Sequence, residues 1–257
     1  LHVLAGRGVT ENRDLERFAS VAAHQLRSPP RTIAGIAVAL QEDYGELLDD
    51  EGKEFLQDIR NDADQMAEIV DGLYRFSKVR TNEDLVVEPV DLNEVLRTVQ
   101  TMRMKKLCGA CVVAKSCPPG ERPRETDECA LKNHEVVYGD LPVVLGDKVL
   151  LQEVFTNLID NGFKFNESEV KRVEITAHRR EDGRWQVEVR DNGIGIDPKY
   201  QPKLFTMFQR VHTGYAGTGV GLALVAAIIN KLDGTITVSS DIGEGSVFTF
   251  DLTPAWE

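Results

Sequence analysis

The sequence predicts two dissimilar halves. The first is an all-α helical hairpin that pairs with a second copy into a four-helix bundle; the second is an α/β two-layer sandwich of the α+β kind, one sheet under one helical layer. Three observations predict this. Apolar residues recur at steps of three and four up to about residue 80, helical and β-like runs mix from there onward, and 257 residues with 42% hydrophobic content can enclose cores in two modest domains. The boundary falls at 84, giving a hairpin over 1–84 and a sandwich over 85–257.

In the first half Leu15, Phe18, Ala22, Leu26, Pro29, Ile33, Ile36 and Leu40 form one helical stripe, and Phe55, Ile59, Ala63, Met66, Ile69 or Val70, Leu73 and Phe76 form a second. Between them "GELLDDEGKE" supplies Gly45, Gly52 and a cap at Asp49 or Asp50, which reverses the chain. Two helices with one stripe each cannot enclose a core, so a homodimer is expected. In the second half "DLVVEPVDLNEVL" reads as a short strand and then a helix whose start carries Asp91 and Glu94 in the manner of a capping box. A helix follows over about Lys148–Lys164, then strands at "RVEITAHR" and "WQVEVRD". A helix over about Val220–Leu232 precedes a closing pair, "GTITVSS" and "GSVFTFDL", joined by "DIGEG".

Charge and hydropathy exclude some functions. Lys plus Arg total 30 against 42 Asp plus Glu, a net charge of -12, which disfavours a sequence-independent grip on nucleic acid or anionic lipid. No run approaches the ~18 apolar residues of a membrane span, and no signal-peptide pattern opens the chain, so a cytoplasmic location is expected. The sequence starts at Leu1 and not at Met, as in a fragment of a longer protein.

The stretch "AHQLRSPPRTI" carries the first chemical signal. At about 100° per residue His24 points away from the apolar stripe and into solvent. Pro29 and Pro30 lack N–H groups, and an interior proline costs ~3 kcal/mol unless the helix bends, so a bend is predicted one turn beyond the histidine. "FASVAAHQLRSPPRTI" resembles the phosphoacceptor box of sensor histidine kinases, with His24, Leu26, Arg27, Ser28 and Pro29 on its pattern. The segment "LLDDEGKEFLQDIRNDADQMAEIVDGLYRFSKV" is similar to the second dimerisation helix of phytochrome-type members.

Two positions depart from the pattern. Gln25 replaces the usual acidic residue, which in the family helps to take the second ring proton; an amide cannot ionise to do so. An imidazole of pKa ~6.5 is nevertheless largely neutral at pH ~7 and keeps a free lone pair. Pro30 stands where the family usually has Leu. Ser28 matches the position that family members use to place a water for dephosphorylating their partner.

Four further boxes continue the resemblance. In "NLIDNGFKF" the spacing puts Asn157, Asn161 and Lys164 on one helical face. The resemblance to the family's N box implies that Asn161 binds Mg²⁺, Lys164 neutralises phosphate charge and Phe165 lies along adenine. "DNGIGID" resembles the first glycine box: Asp191 would accept from the adenine amino group, while Gly193 and Gly195 allow close backbone approach. "KLFTMFQR" resembles the F box, with Phe205 and Phe208 as apolar hinges and Arg210 as a phosphate contact. In "GTGVGLAL", Gly217, Gly219 and Gly221 would expose N–H groups to phosphates at a helix start. Only "QRVHTGYA" separates Phe208 from Gly217, so the lid should be short. Gyrase-like ATPases keep a glutamate four residues before the Mg²⁺ asparagine. Here that catalytic position is Asn157, which cannot act as general base, so the γ-phosphate is kept for a histidine nucleophile.

Cys108, Cys111, Cys117 and Cys129 all fall in one insert, at about 105–135, with no aromatic residue to pack it. The C-x-x-C pair followed by two more thiols suits one four-thiolate metal site; a thiol/disulfide pair or unliganded cysteines are the alternatives. Spacing does not choose Zn²⁺ over iron, and Cys117 before Pro118 tilts toward an iron-sulfur cluster with a redox-sensing role. His134 reads as an exposed loop residue and less readily as a ligand.

The resemblance therefore implies a kinase core that uses ATP and Mg²⁺ to phosphorylate His24 and passes the phosphoryl group to an aspartate on a response-regulator receiver domain. An ATP-binding regulator acting mainly as phosphatase or scaffold, and a gyrase-like ATPase clamp, are the rival readings.

Overall fold

The computed structural model describes residues 26, 28–81, 85–107, 133–211, 214–215 and 217–256. They fall into two compact units: one takes the residues up to 81 together with 206–227, the other 85–205 with 228–256.

In the first unit α1 (Ser28–Tyr44) and α2 (Asp50–Thr81) form the hairpin that the periodicity predicts. The turn is built by Gly45 N–H donating to the Gln41 carbonyl at 3.1 Å and Leu47 N–H to that of Tyr44 at 2.9 Å. Of the two candidate caps the structure selects Asp49, whose Oδ1 accepts the Gly52 N–H at 2.8 Å. Asp50 and Glu51 in the first turn of α2, with Lys78 and Arg80 in its last, complement the helix dipole.

Pro29 and Pro30 lie at the N-terminal end of α1; Leu26 is also helical, and Arg27 lies outside the described residues. The carbonyl of Gln25 and the ring of His24, on which the predicted bend bears, lie outside the described residues. Most of the two stripes stays exposed within one chain, as expected of a hairpin that cannot enclose a core alone. Ala37 and Ala63 are buried, whereas Leu26, Ile33, Ile36, Leu40, Phe55, Ile59 and Met66 are exposed within one chain.

The second unit is the predicted sandwich. Strands β2 (His134–Tyr138), β4 (Lys171–Arg179), β5 (Trp185–Asp191), β6 (Ile236–Asp241) and β7 (Gly245–Leu252) form one sheet in the order β2-β4-β5-β7-β6. The β2–β4 pair is parallel and the rest are antiparallel. A separate antiparallel pair joins β1 (Glu88–Asp91) to β3 (Val143–Gly146). Within β3, the Leu145 N–H donates to the Thr253 carbonyl at 2.8 Å, which ties the segment after β7 to this pair.

The helical layer consists of α3 (Leu92–Leu107) and α4 (Lys148–Lys164). Leu92, Val95, Leu96 and Val99 of α3, and Leu151, Val154, Phe155, Leu158, Ile159 and Phe163 of α4, are buried, as are Val173, Ile175, Val187, Val189, Phe248 and Phe250 of the sheet. Phe155 meets Phe250 edge-on at 5.9 Å between centroids. α4 starts where the apolar period predicts because the Asp147 carboxylate accepts from Val149 N–H at 2.9 Å and Leu150 N–H at 3.1 Å. The capping box predicted for α3 forms by half: Asp91 accepts the Asn93 N–H at 2.8 Å, but Glu94 pairs with Lys148 at 2.8 Å. A short 3₁₀ helix spans Pro198–Lys203, and α5 spans Gly221–Lys231.

Candidate functional site

The end of α4 and the turn after β5 meet through the backbone. The Phe165 carbonyl, just past α4, accepts the Ile194 N–H at 2.9 Å. Asn166 Nδ2 donates to Asn192 Oδ1 at 2.8 Å and to the Gly162 carbonyl at 3.2 Å. A Cβ on Gly162 would lie 2.7 Å from Val173 Cγ2 and 3.1 Å from Asp191 Cβ, so only glycine lets the helix approach the sheet this closely. The end of α4, which carries Asn161, Lys164 and Phe165, is thereby brought against the turn that carries Asp191 and Gly193.

Asp191 ends β5, and its Oδ1 accepts the N–H groups of Gly193 at 2.9 Å and Ser246 at 3.2 Å. Burial pushes its carboxyl above the ordinary carboxylate range, and these donors offset part of the rise. A Cβ on Gly193 would strike the Phe165 carbonyl; Gly195 has φ +72°, and a Cβ there would strike the Asp241 carbonyl. Both glycines are therefore required by geometry.

Asn161 is half-buried, and its amide has no side-chain hydrogen-bond partner among the described residues. Lys164 Nζ lies 4.8 Å from the Phe165 ring centroid. Asn157 turns back along its own helix, its Nδ2 donating to the Glu153 carbonyl at 2.8 Å and to Glu153 Oε1 at 3.3 Å. An amide so engaged is no general base.

Three residues missed in the sequence reading complete the turn. Ser240 Oγ accepts the Ile196 N–H at 2.8 Å, donates to the Gly245 carbonyl at 2.7 Å, and lies 3.1 Å from Ser246 Oγ. Gln201 Nε2 donates to the Ser240 carbonyl at 2.7 Å. The available signal was weak: Ser240 and Ser246 are buried, but their strands also carry Thr237, Ser239, Asp241, Thr249 and Asp251.

The remaining boxes belong to the first unit and are described there. Phe208 adopts φ +62°, and its N–H donates to the Gly219 carbonyl at 2.9 Å. Gly219 has φ +70°, and a Cβ on it would lie 2.7 Å from the Phe208 carbonyl carbon. Gly217, at φ +145°, precedes it, and Gly221 opens α5. Arg210 donates to the Tyr215 carbonyl at 2.8 Å. Phe205 is half-buried in the second unit.

Ser28 is exposed at the start of α1. His24, Gln25, Cys108, Cys111, Cys117 and Cys129 lie outside the described residues. Among the described residues no cluster of His, Cys, Asp or Glu could hold a metal ion, and no helix is long and apolar enough to cross a membrane. His134 is not an exposed loop residue: it starts β2 and is half-buried against Phe163.

The fold is a two-part core, a helical hairpin and an α/β sandwich with a glycine turn after β5. Residues 14–82 match the His Kinase A (phospho-acceptor) domain, and residues 146–255 match the histidine kinase-, DNA gyrase B-, and HSP90-like ATPase. The chain belongs to the sensor histidine kinases, a family of protein-histidine kinases. It is 32% identical over 244 residues to the phytochrome-like protein Cph1 of Synechocystis, covering 94% of this chain and 29% of that protein. It is 31% identical over 241 residues to the sensor histidine kinase RcsC of Escherichia coli, covering 90% and 22%. The chain thus spans less than a third of either relative's length. In fold it is similar to full-length ShkA solved in complex with AMPPNP, with a TM-score of 0.63 at 24% identity over 92% of this chain and 45% of that one.

Proposed function

We propose that this chain is the core that autophosphorylates His24 with ATP and Mg²⁺ and then passes the phosphoryl group to an aspartate of a response-regulator receiver domain. In the first step an imidazole nitrogen forms a bond to Pγ, the bond from Pγ to the β,γ-bridging oxygen breaks, ADP leaves, and the ring gives up a proton to solvent. The observation that best supports the reading is the Phe165–Ile194 hydrogen bond, which joins the end of the N-box helix to the first glycine box.

In this reading Asp191 recognises the adenine amino group, Phe165 lies along the base, and Gly193 and Gly195 admit it. Asn161 would hold Mg²⁺; its unengaged amide fits an oxygen donor to a hard cation. Lys164, Arg210, Gly217, Gly219 and Gly221 serve the phosphates, and Ser28 the dephosphorylation water. The hairpin over 1–84 carries the phosphoacceptor, and 85–257 carries the nucleotide-binding domain. The apolar residues left exposed on α1 and α2 support a homodimer. Asn157, turned onto Glu153, favours the kinase over an ATPase clamp. Gln25 slows transfer without abolishing it.

The test is incubation with γ-labelled ATP: wild type acquires label and His24→Ala does not. Labelling of both, or of neither, overturns the reading. Negligible labelling beside fast removal of phosphate from a partner supports the phosphatase reading instead. The four-thiolate site rests on cysteine spacing alone. Stoichiometric metal by elemental analysis of protein prepared without air supports it, and its absence removes it.

A further inference from the structure

The last turn of α4, which carries Asn161 and Lys164, is gripped from a direction that the family boxes do not name. Arg103, near the end of α3, has a side chain only 12% exposed. Its guanidinium lies 3.8 Å from the centroid of the Phe163 ring, and its Nε lies 3.1 Å from Asp160 Oδ1. These are the residues one before and two after Asn161. One planar cation therefore holds the helix on both sides of the residue assigned to Mg²⁺, a geometry that a lysine could not reproduce.

Two other elements hold the same residue. His134 at the start of β2 packs on Phe163 at 4.6 Å between centroids, tilted by 37°. Lys171 at the start of β4 donates from Nζ to the Phe163 carbonyl at 3.2 Å. A helix C-terminus leaves its final carbonyls unpaired and frays easily. Here α3, β2 and β4 converge on one residue of that turn. Burial of the Arg103 guanidinium carries a desolvation cost, which its single ion pair, to a carboxylate 45% exposed, only partly offsets.

We propose that Arg103 is a positioning residue for Mg²⁺-nucleotide binding: by clamping Asp160 and Phe163 it fixes the side chain of Asn161 in the orientation that meets the metal. The inference rests on the assignment of Asn161 to Mg²⁺ made above.

The experiment uses the full chain and reads the ratio of ATP dissociation constants without and with Mg²⁺, by calorimetry, for wild type, Asn161→Ala, Arg103→Met and Arg103→Lys. Arg103→Met is expected to shrink that ratio about tenfold, the scale on which outer-shell partners tune a metal, while metal-free affinity changes about twofold or less. Arg103→Lys keeps the charge beside Asp160 but loses the planar stack, and falls between. A side chain that serves stability alone would lower the unfolding temperature and leave the ratio as in wild type, which overturns the proposal. If Asn161→Ala also keeps the wild-type ratio, the assignment of Asn161 fails; if Asn161→Ala loses it and Arg103→Met keeps it, only the positioning role fails. Should Arg103→Met not fold, Arg103→Lys decides by the same ratio.

Discussion

The carboxylate of Asp191 accepts the Gly193 N–H at 2.9 Å through Oδ1, the same oxygen that meets the Ser246 N–H at 3.2 Å. One oxygen is thus engaged in shaping the turn, and in the function proposed above the same carboxylate also receives the adenine amino group. Burial raises the carboxyl's pKa, so the ionised group at pH ~7 carries a desolvation cost.

Asp191→Asn should separate these roles. The amide keeps an acceptor at Oδ1 and removes the buried charge, so the nucleotide-free chain is expected to unfold at the same or a slightly higher temperature. At Oδ2 an N–H group would replace the acceptor and face the adenine amino group donor to donor, so ATP affinity should fall by at least about tenfold. Calorimetry beside thermal unfolding checks both; unchanged affinity would refute the adenine assignment.

Gly195 and Gly183 share positive φ, +72° and +82°, but not surroundings. A Cβ on Gly195 meets the Asp241 carbonyl, whereas at Gly183 nothing lies within 4 Å. Gly183→Ala should cost about 1 kcal/mol, the price of the left-handed conformation alone, and Gly195→Ala about 3 kcal/mol or more. Urea unfolding measures the difference, and equal losses would show that the close approach of the glycine turn to Asp241 is not what the site requires.

Much of this was legible in the sequence because local chemistry dictated it. The bounds of α4 follow from its apolar period and Asp147, and the β6–β7 hairpin from alternation around "DIGEG". The order of the boxes pointed to the end of α4 and the turn after β5, which the Phe165–Ile194 hydrogen bond joins. Less legible was whatever depends on partners distant in sequence. Nothing near Glu94 signals that it would leave the cap for Lys148, 54 residues away. The burial of His134 depends on Phe163 and Arg103, which periodicity cannot bring together. Of the two buried alanines the apolar period included Ala63 but not Ala37, a small residue that a hydrophobic pattern weights least.

That exposed stripe yields a prediction of its own. Ile36 is 56% exposed, Phe55 58% and Ile59 45%. Each would gain roughly 1.5–3 kcal/mol if fully buried against a second copy. Ile59→Glu would instead bury a charge in that seam and should convert a dimer into a monomer at micromolar concentration without unfolding the sandwich. Light scattering reports the mass and circular dichroism the fold. A variant that remains dimeric would move the pairing face elsewhere on the hairpin.

His134 supplies a pH dependence. Burial first, then the nearby charges of Arg103 and Lys171, push its pKa down to about 4. In the unfolded chain the imidazole titrates near ~6.5, so as the pH falls the unfolded state takes up this proton first. The preference for the folded state that His134 contributes is complete above pH ~6.5 and is lost progressively as pH falls toward about 4. His134→Gln cannot protonate, so the drop in its urea midpoint between pH ~7 and pH ~5 should be smaller than in wild type, the other histidines contributing equally to both. A direct NMR titration gives the second check. A His134 signal that titrates near ~6.5 would mean that the ring is not packed on Phe163 in solution.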